Sequence, residues 1–200
     1  MSKHAFFPVL RKELDDAITY GTQKHALALA RRGLRAAQDA RAAAETEYFR
    51  AQVQIIRGNF VTAIEHLDRA IALNPHDGAA FNDRALCMVE IGIIDEAMLF
   101  FDRGIAAEPD YATIYHNKGW LLNNIGRHTE AIGCFRTALE LEPGRAVTYD
   151  NLADAQMNLG DKDGALASYR TVLALLKPGQ CRGIRKQIVR RISELERRGA

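Results

Sequence analysis

The side chains best suited to chemistry in this chain are six histidines and three cysteines, and neither set has a working spacing. No two of His4, His25, His66, His76, His116 and His128 lie three or four residues apart, the separation that puts two imidazoles on one helix face as metal ligands. Cys87, Cys134 and Cys181 are odd in number and show no paired spacing. That argues against a disulfide framework or a zinc site and for a reducing compartment. No Gly-rich phosphate loop ends in Gly-Lys-Ser/Thr, and neither His-Glu-x-x-His nor Gly-x-Ser-x-Gly occurs. The expectation is a protein that is not an enzyme and has no cofactor, no metal site and no catalytic residue.

Composition agrees with a soluble domain. The 200 residues are 48% hydrophobic and 26% charged, enough to bury one core. Charges run through the first 17 residues and no long apolar stretch follows, so neither a secretory leader nor a membrane span is expected, and the location read from this is cytoplasmic. The net charge of +2 conceals an asymmetry: residues 44–176 carry −8, residues 1–43 carry +4 and residues 177–200 carry +6. An acidic middle lies between basic ends.

The elements that position these residues are set by a repeat. Gly58, Gly92, Gly126 and Gly160 advance by 34 residues, as do Ala63, Ala97, Ala131 and Ala165. Pro75, Pro109 and Pro143 keep the same step, with Pro178 one residue late. Each unit reads as helix, tight turn, helix and short loop. First helices are predicted at 45–57, 79–91, 113–125 and 147–159, and second helices from 61, 95, 129 and 163. The glycines end the first helices. Thr62, Asp95 and Thr129 are the expected caps of the second. Ala51, Ala85, Gly119 and Ala153 are small where helices cross, and Leu67, Phe101, Phe135 and Tyr169 fill the gaps.

The pattern resembles the tetratricopeptide repeat family. The third unit gives Tyr115, Lys118-Gly119, Leu122, Ala131, Phe135 and Pro143, and the second and fourth repeat it with Phe81 and Tyr149 at the aromatic position. The first, with Glu47 there, is the most degraded. The resemblance implies an all-α, right-handed α-solenoid of stacked helical hairpins. The expected divisions of this single domain are a degenerate hairpin at 1–43, four units at 44–77, 78–111, 112–145 and 146–179, and an amphipathic capping helix at 180–200. Gly21, Ala26, Ala30 and Gly33 carry the repeat into the first segment, though Gly21 to Gly58 is 37 residues, so that second helix could continue through Arg35–Ala44. In the last segment Ile184, Ile188, Ile192 and Leu195 form the apolar stripe.

In this family the inner face of the first helices lines a concave groove that holds a peptide or helix. The resemblance assigns to that groove Tyr48, Gln52, Asn82, Leu86, Val89, His116, Asn117, Trp120, Asn123, Asp150, Asn151 and Asp154. Trp120, the one tryptophan, is the expected aromatic anchor; the asparagines could bond a peptide backbone, and Asp83, Asp150 and Asp154 would favour a basic partner. The Lys and Arg residues that a chaperone-tail clamp needs are missing from the matching positions. The leading expectation is a non-enzymatic protein-interaction scaffold with a peptide or helix in its groove. Two alternatives stand beside it. One is nucleic-acid or anionic-surface binding through the basic ends, where Arg182, Arg185, Lys186, Arg190, Arg191, Arg197 and Arg198 cluster. The other is self-assembly into a homo-oligomer, a basic end against the acidic middle of a neighbour.

Overall fold

A computed structural model describes residues 3–176 and 182–199; Pro178 and Cys181 lie outside the described residues, as does the side chain of Arg198. Among the described residues there are eleven α-helices and no strand. They fall into two compact units, Met1–Pro109 and Asp110–Ala200.

The first unit contains α1 (Lys3–Tyr20), α2 (Gln23–Asp39), α3 (Ala43–Ile56), α4 (Phe60–Leu73), α5 (Gly78–Glu90) and α6 (Ile94–Ala107). The second contains α7 (Ala112–Asn124), α8 (His128–Leu141), α9 (Ala146–Leu159), α10 (Lys162–Leu175) and α11 (Arg182–Gly199). Within each unit every helix packs on the next, pairing into hairpins that stack on one another.

The turns follow one scheme. Gly58, Gly92, Gly126 and Gly160 have φ between +78° and +87°, the left-handed region that a Cβ disfavours. The next residue's N–H then reaches back five positions, as Arg127 N to Leu122 O at 2.8 Å, which satisfies a carbonyl at the end of the preceding helix. This tight closure starts all four second helices two residues after the glycine, one residue earlier than expected. Thr62, Asp95 and Thr129 therefore lie inside their helices. The positions before α4, α6 and α8 are Asn59, Ile93 and Arg127, which make no side-chain cap bond. Only the fourth repeat has a side-chain cap here, Asp161 accepting from Gly164 N at 2.9 Å. At the other end of α4, α6 and α8, Asn74, Glu108 and Glu142 take ψ of 81° to 89°. A following proline excludes the helical conformation there and stops the helix.

The first hairpin departs from the scheme. Thr22 caps α2, which at 17 residues is three longer than α4, α6, α8 or α10, and this accounts for the long Gly21–Gly58 interval. The helix does not run on to Ala44. It ends at Asp39, and Arg41 takes the left-handed position with φ 53°.

Packing explains the small and large positions. Ala51, Ala63, Ala85, Ala97, Ala131, Ala153 and Ala165 are fully buried, as are Leu67, Phe101 and Phe135. At Gly119 an added Cβ would stand 2.8 Å from the Phe135 ring, so α7 and α8 touch there only because the side chain is absent. Cys87 is a buried core residue whose thiol is pushed up to about 12 by burial and by Asp83 and Glu90 nearby, which leaves it unreactive. Of the C-terminal stripe, Ile188 is buried and Ile192 and Leu195 pack on the α9–α10 core, whereas Ile184 stays exposed. Among the described residues no helix is long and apolar enough to cross a membrane.

Candidate functional site

The candidate residues lie on the first helices, α3 and α5 in one unit, α7 and α9 in the other. In the first unit they are mostly consumed internally. Tyr48, Gln52 and Asn82 are buried. Gln52 Nε2 donates to Asp83 Oδ2, Asn82 Nδ2 donates to Asp83 Oδ1 at 2.9 Å, and Tyr48 makes a third hydrogen bond to this carboxylate. Burial still wins over these bonds and over the Arg11 charge, and pushes Asp83 up to about 6.

Above this cluster α1 contributes Arg11. Its guanidinium donates to Glu45 Oε1 and Oε2 at 3.1 and 3.2 Å and to Asp77 Oδ1 and Oδ2 at 2.9 and 2.7 Å. The same group lies 3.7 Å from the Tyr48 ring centre. A planar fork suits both a ring face and two carboxylates. Glu45 is nonetheless held above the usual carboxylate range, because burial and Asp77 outweigh Arg11. Tyr48, Gln52 and Asn82 thus form a satisfied floor and do not present themselves to a partner. Leu86 and Val89 remain half-buried on α5 and open to contact.

In the second unit His116 is also internal. Its Nδ1 meets Thr148 Oγ at 2.9 Å and its Nε2 meets Asn151 Nδ2 at 3.4 Å. With Asn151 donating, Nε2 accepts and Nδ1–H donates to Thr148, the neutral tautomer. Burial, reinforced by Arg145, pushes His116 down to about 3, in keeping with that form. Asn123 Oδ1 accepts from Asn158 Nδ2 at 3.2 Å and from His128 Nδ1 at 2.7 Å, an arrangement that binds α7 to α8 and α9. Asn117 is half-buried.

Trp120 behaves differently. It is 38% exposed, while its chain neighbours Gly119 and Leu121 are buried. The indole is therefore surface and not core.

Asp150 and Asp154 do not form an open acidic patch. Arg191 of α11 donates to Asp154 Oδ1 at 2.7 Å, to Asp150 Oδ1 at 3.3 Å and to the Tyr169 hydroxyl at 3.2 Å. Burial and the Asp154 charge hold Asp150 above its ordinary range against Arg191. Other members of the basic run also have internal acceptors: Arg185 reaches Leu173 O, Arg190 reaches Glu194 and Arg197 reaches Ser193 O.

Sequence reasoning missed Arg11, Asp77, Thr148 and Arg191 as partners of this face. One signal was available, since Arg11 stands 34 residues before Glu45 and so shares its place in the repeat. Among the described residues no group of three or more His, Cys, Asp or Glu gathers as metal ligands. A shallow depression of 510 Å³ on the first hairpin is lined by Glu13, Asp16, His25 and Arg32 among others. Its Arg32–Glu13 pair is solvated and 3.5 Å long, so it adds no organised polar site.

Family models of the tetratricopeptide repeat match residues 54–118, 112–145 and 148–182. A comparison with curated proteins returned no match. Among solved structures, TTC0263, described as a thermophilic TPR protein in Thermus thermophilus, aligns with a TM-score of 0.72 at 20% identity, covering 94% of this chain and 98% of that one. MamA aligns at 0.61 and 22% identity, covering 81% of this chain and 93% of its own. YrrB, described as a TPR protein with an unusual peptide-binding site, aligns at 0.58 and 18%, covering 84% of each chain. At these identities the likeness is one of fold.

Proposed function

The chain belongs to the tetratricopeptide repeat family, and from that premise we propose that it binds a peptide or helix of a protein partner on its first-helix face, without catalysis. The observation that carries this reading is the exposure of Trp120 at 38%, on a helix whose polar neighbour His116 is already satisfied. Exposing a large aromatic costs hydration free energy, and one held on a rigid helix can anchor a partner side chain. Half-buried Asn117 and Asn151 flank it in sequence register. Tyr48, Gln52, Asn82 and His116 serve this face as its supporting layer. YrrB, similar in fold, is described as having an unusual peptide-binding site.

The test selects peptides from a random library on the full-length protein and measures their affinity for Trp120→Ala. An aromatic anchor at an interface centre contributes about 2 kcal/mol or more, so binding is expected to weaken at least about thirtyfold. Because the chain has one tryptophan, the same complex is expected to shift its fluorescence to shorter wavelength. Selected peptides that bind Trp120→Ala as tightly as the parent refute the assignment.

A further inference from the structure

At the end of the second unit, α11 occupies the seat that the first helix of another repeat would take. Asp150 and Asp154 stand 34 residues after His116 and Trp120. α9 lies against His116 through Thr148 and Asn151, and α11 lies against Asp150 and Asp154 through Arg191. The residues that α11 covers are therefore repeat equivalents of the face that displays Trp120.

The seat is specific in chemistry. Ala153, Ala165, Tyr169 and Val172 receive Ile188, with Ile192 and Leu195 packed at the margin. Beside this apolar strip, two carboxylates and the Tyr169 hydroxyl converge on one guanidinium nitrogen of Arg191. Yet α11 is lightly held. Ile188 is its one buried side chain among those described. Arg191, Asp150 and Asp154 are 32%, 31% and 40% exposed, where the Arg11–Asp77 pair at the other end of the chain is 17% and 6% exposed. Water and competing charges reach the C-terminal ion pair more readily than the N-terminal one.

We propose that the α9–α10 surface is a docking site for an amphipathic helix with an aliphatic residue, a cation three positions later and aliphatic residues four and seven positions later, and that α11 is its resident occupant, displaced by a partner helix of that pattern. The pattern is that of Ile188, Arg191, Ile192 and Leu195. This rests on the first-helix face being the recognition surface, and it names the partner class and a regulation: the protein's own helix competes with the partner.

The experiment uses a labelled peptide spanning residues 182–197 and two full-length proteins, the parent and Ile188→Ala/Arg191→Ala. The peptide is expected to bind the double variant at least tenfold more tightly than the parent, because the resident helix is loosened. A peptide carrying its own Arg191→Ala is expected to bind that variant at least tenfold more weakly than the unaltered peptide. Hydrogen exchange on the parent alone guards against a misfolded variant: α11 amides should exchange at least tenfold faster than those of α9. Equal binding to both proteins, or α11 as protected as α9, overturns the proposal. A parent dimer that the peptide dissociates assigns the seat to a second copy and overturns the partner assignment. The peptide should bind the double variant equally well with Trp120→Ala added, so failure at this seat and failure of the Trp120 reading are separate results.

Discussion

Arg11 sits over the ring of Tyr48, 3.7 Å from its centre, and from there clasps Glu45 and Asp77 together. Three consecutive first-helix regions are joined by one guanidinium. Arg11→Met would leave the Asp77 carboxylate, 6% exposed, without its cation. Breaking a buried pair in this way costs about 3–5 kcal/mol, whereas removing the charges together costs much less. Urea denaturation should show the single variant strongly destabilised and Arg11→Met/Glu45→Gln/Asp77→Asn partly restored. A restored variant no better than the single one would mean that Arg11 acts through packing on Tyr48.

Asp83 gives the first unit a pH dependence. Its folded-state pKa is raised to about 6 from the ordinary 3.8, so the folded state holds its proton more tightly than the unfolded chain does. The stability linked to this group is fully present below about pH 4 and is lost as pH rises through about 6. Asp83→Asn should therefore gain on the parent between pH 4 and pH 7, by an amount on the order of 1–3 kcal/mol. Denaturation midpoints at the two pH values measure it, and parallel profiles for both proteins would contradict it.

Gly119 and Gly133 make a matched pair in the second unit. In both, alanine improves helix propensity by about 1 kcal/mol. At Gly133 nothing lies within 4 Å of the new methyl group, so Gly133→Ala should raise stability by about that amount. At Gly119 the methyl group would meet fully buried Phe135 at 2.8 Å, and overpacking costs about 1–3 kcal/mol. Gly119→Ala should be net destabilising. Thermal melts that move the same way for both would show that Phe135 can yield.

Arg41 is a non-glycine residue at a left-handed helix end, φ 53°. A Cβ there costs about 1–2 kcal/mol, and glycine gives back about 0.5–1 kcal/mol through the freedom of the unfolded chain. Arg41→Gly is expected to stabilise the protein by about 0.5–1 kcal/mol in urea titration.

The fold was legible because its determinants are local and repeated. A left-handed glycine and a helix-stopping proline act within a few residues, and the 34-residue step displays each of them several times. The errors fell where a local rule met a second bond. Thr62, Asp95 and Thr129 looked like caps, but the five-residue turn closure had already started the helix. The candidate face was half legible. Trp120 lies on the surface, but Tyr48, Gln52, Asn82 and His116 share its register and are buried; Tyr48, Gln52 and His116 meet Arg11, Asp83 and Thr148, side chains 31 to 37 residues away. Asp150 and Asp154 read as an invitation to a basic partner. Their cation comes from the chain itself, through an arginine 37 and 41 residues further on, a distance at which charge spacing carries no sequence signal.

Gln52 donates to Asp83 between the first and second repeats, and His116 meets Thr148 between the third and fourth. The two junctions use different donor and acceptor pairs in similar places. A chain with its repeats shuffled would keep its period and its helices, but would bring unmatched polar groups face to face in dry surroundings. At these two junctions the copies are thus not interchangeable bricks: each carries an address that its neighbour reads, and a wrong neighbour would leave those hydrogen bonds unmade.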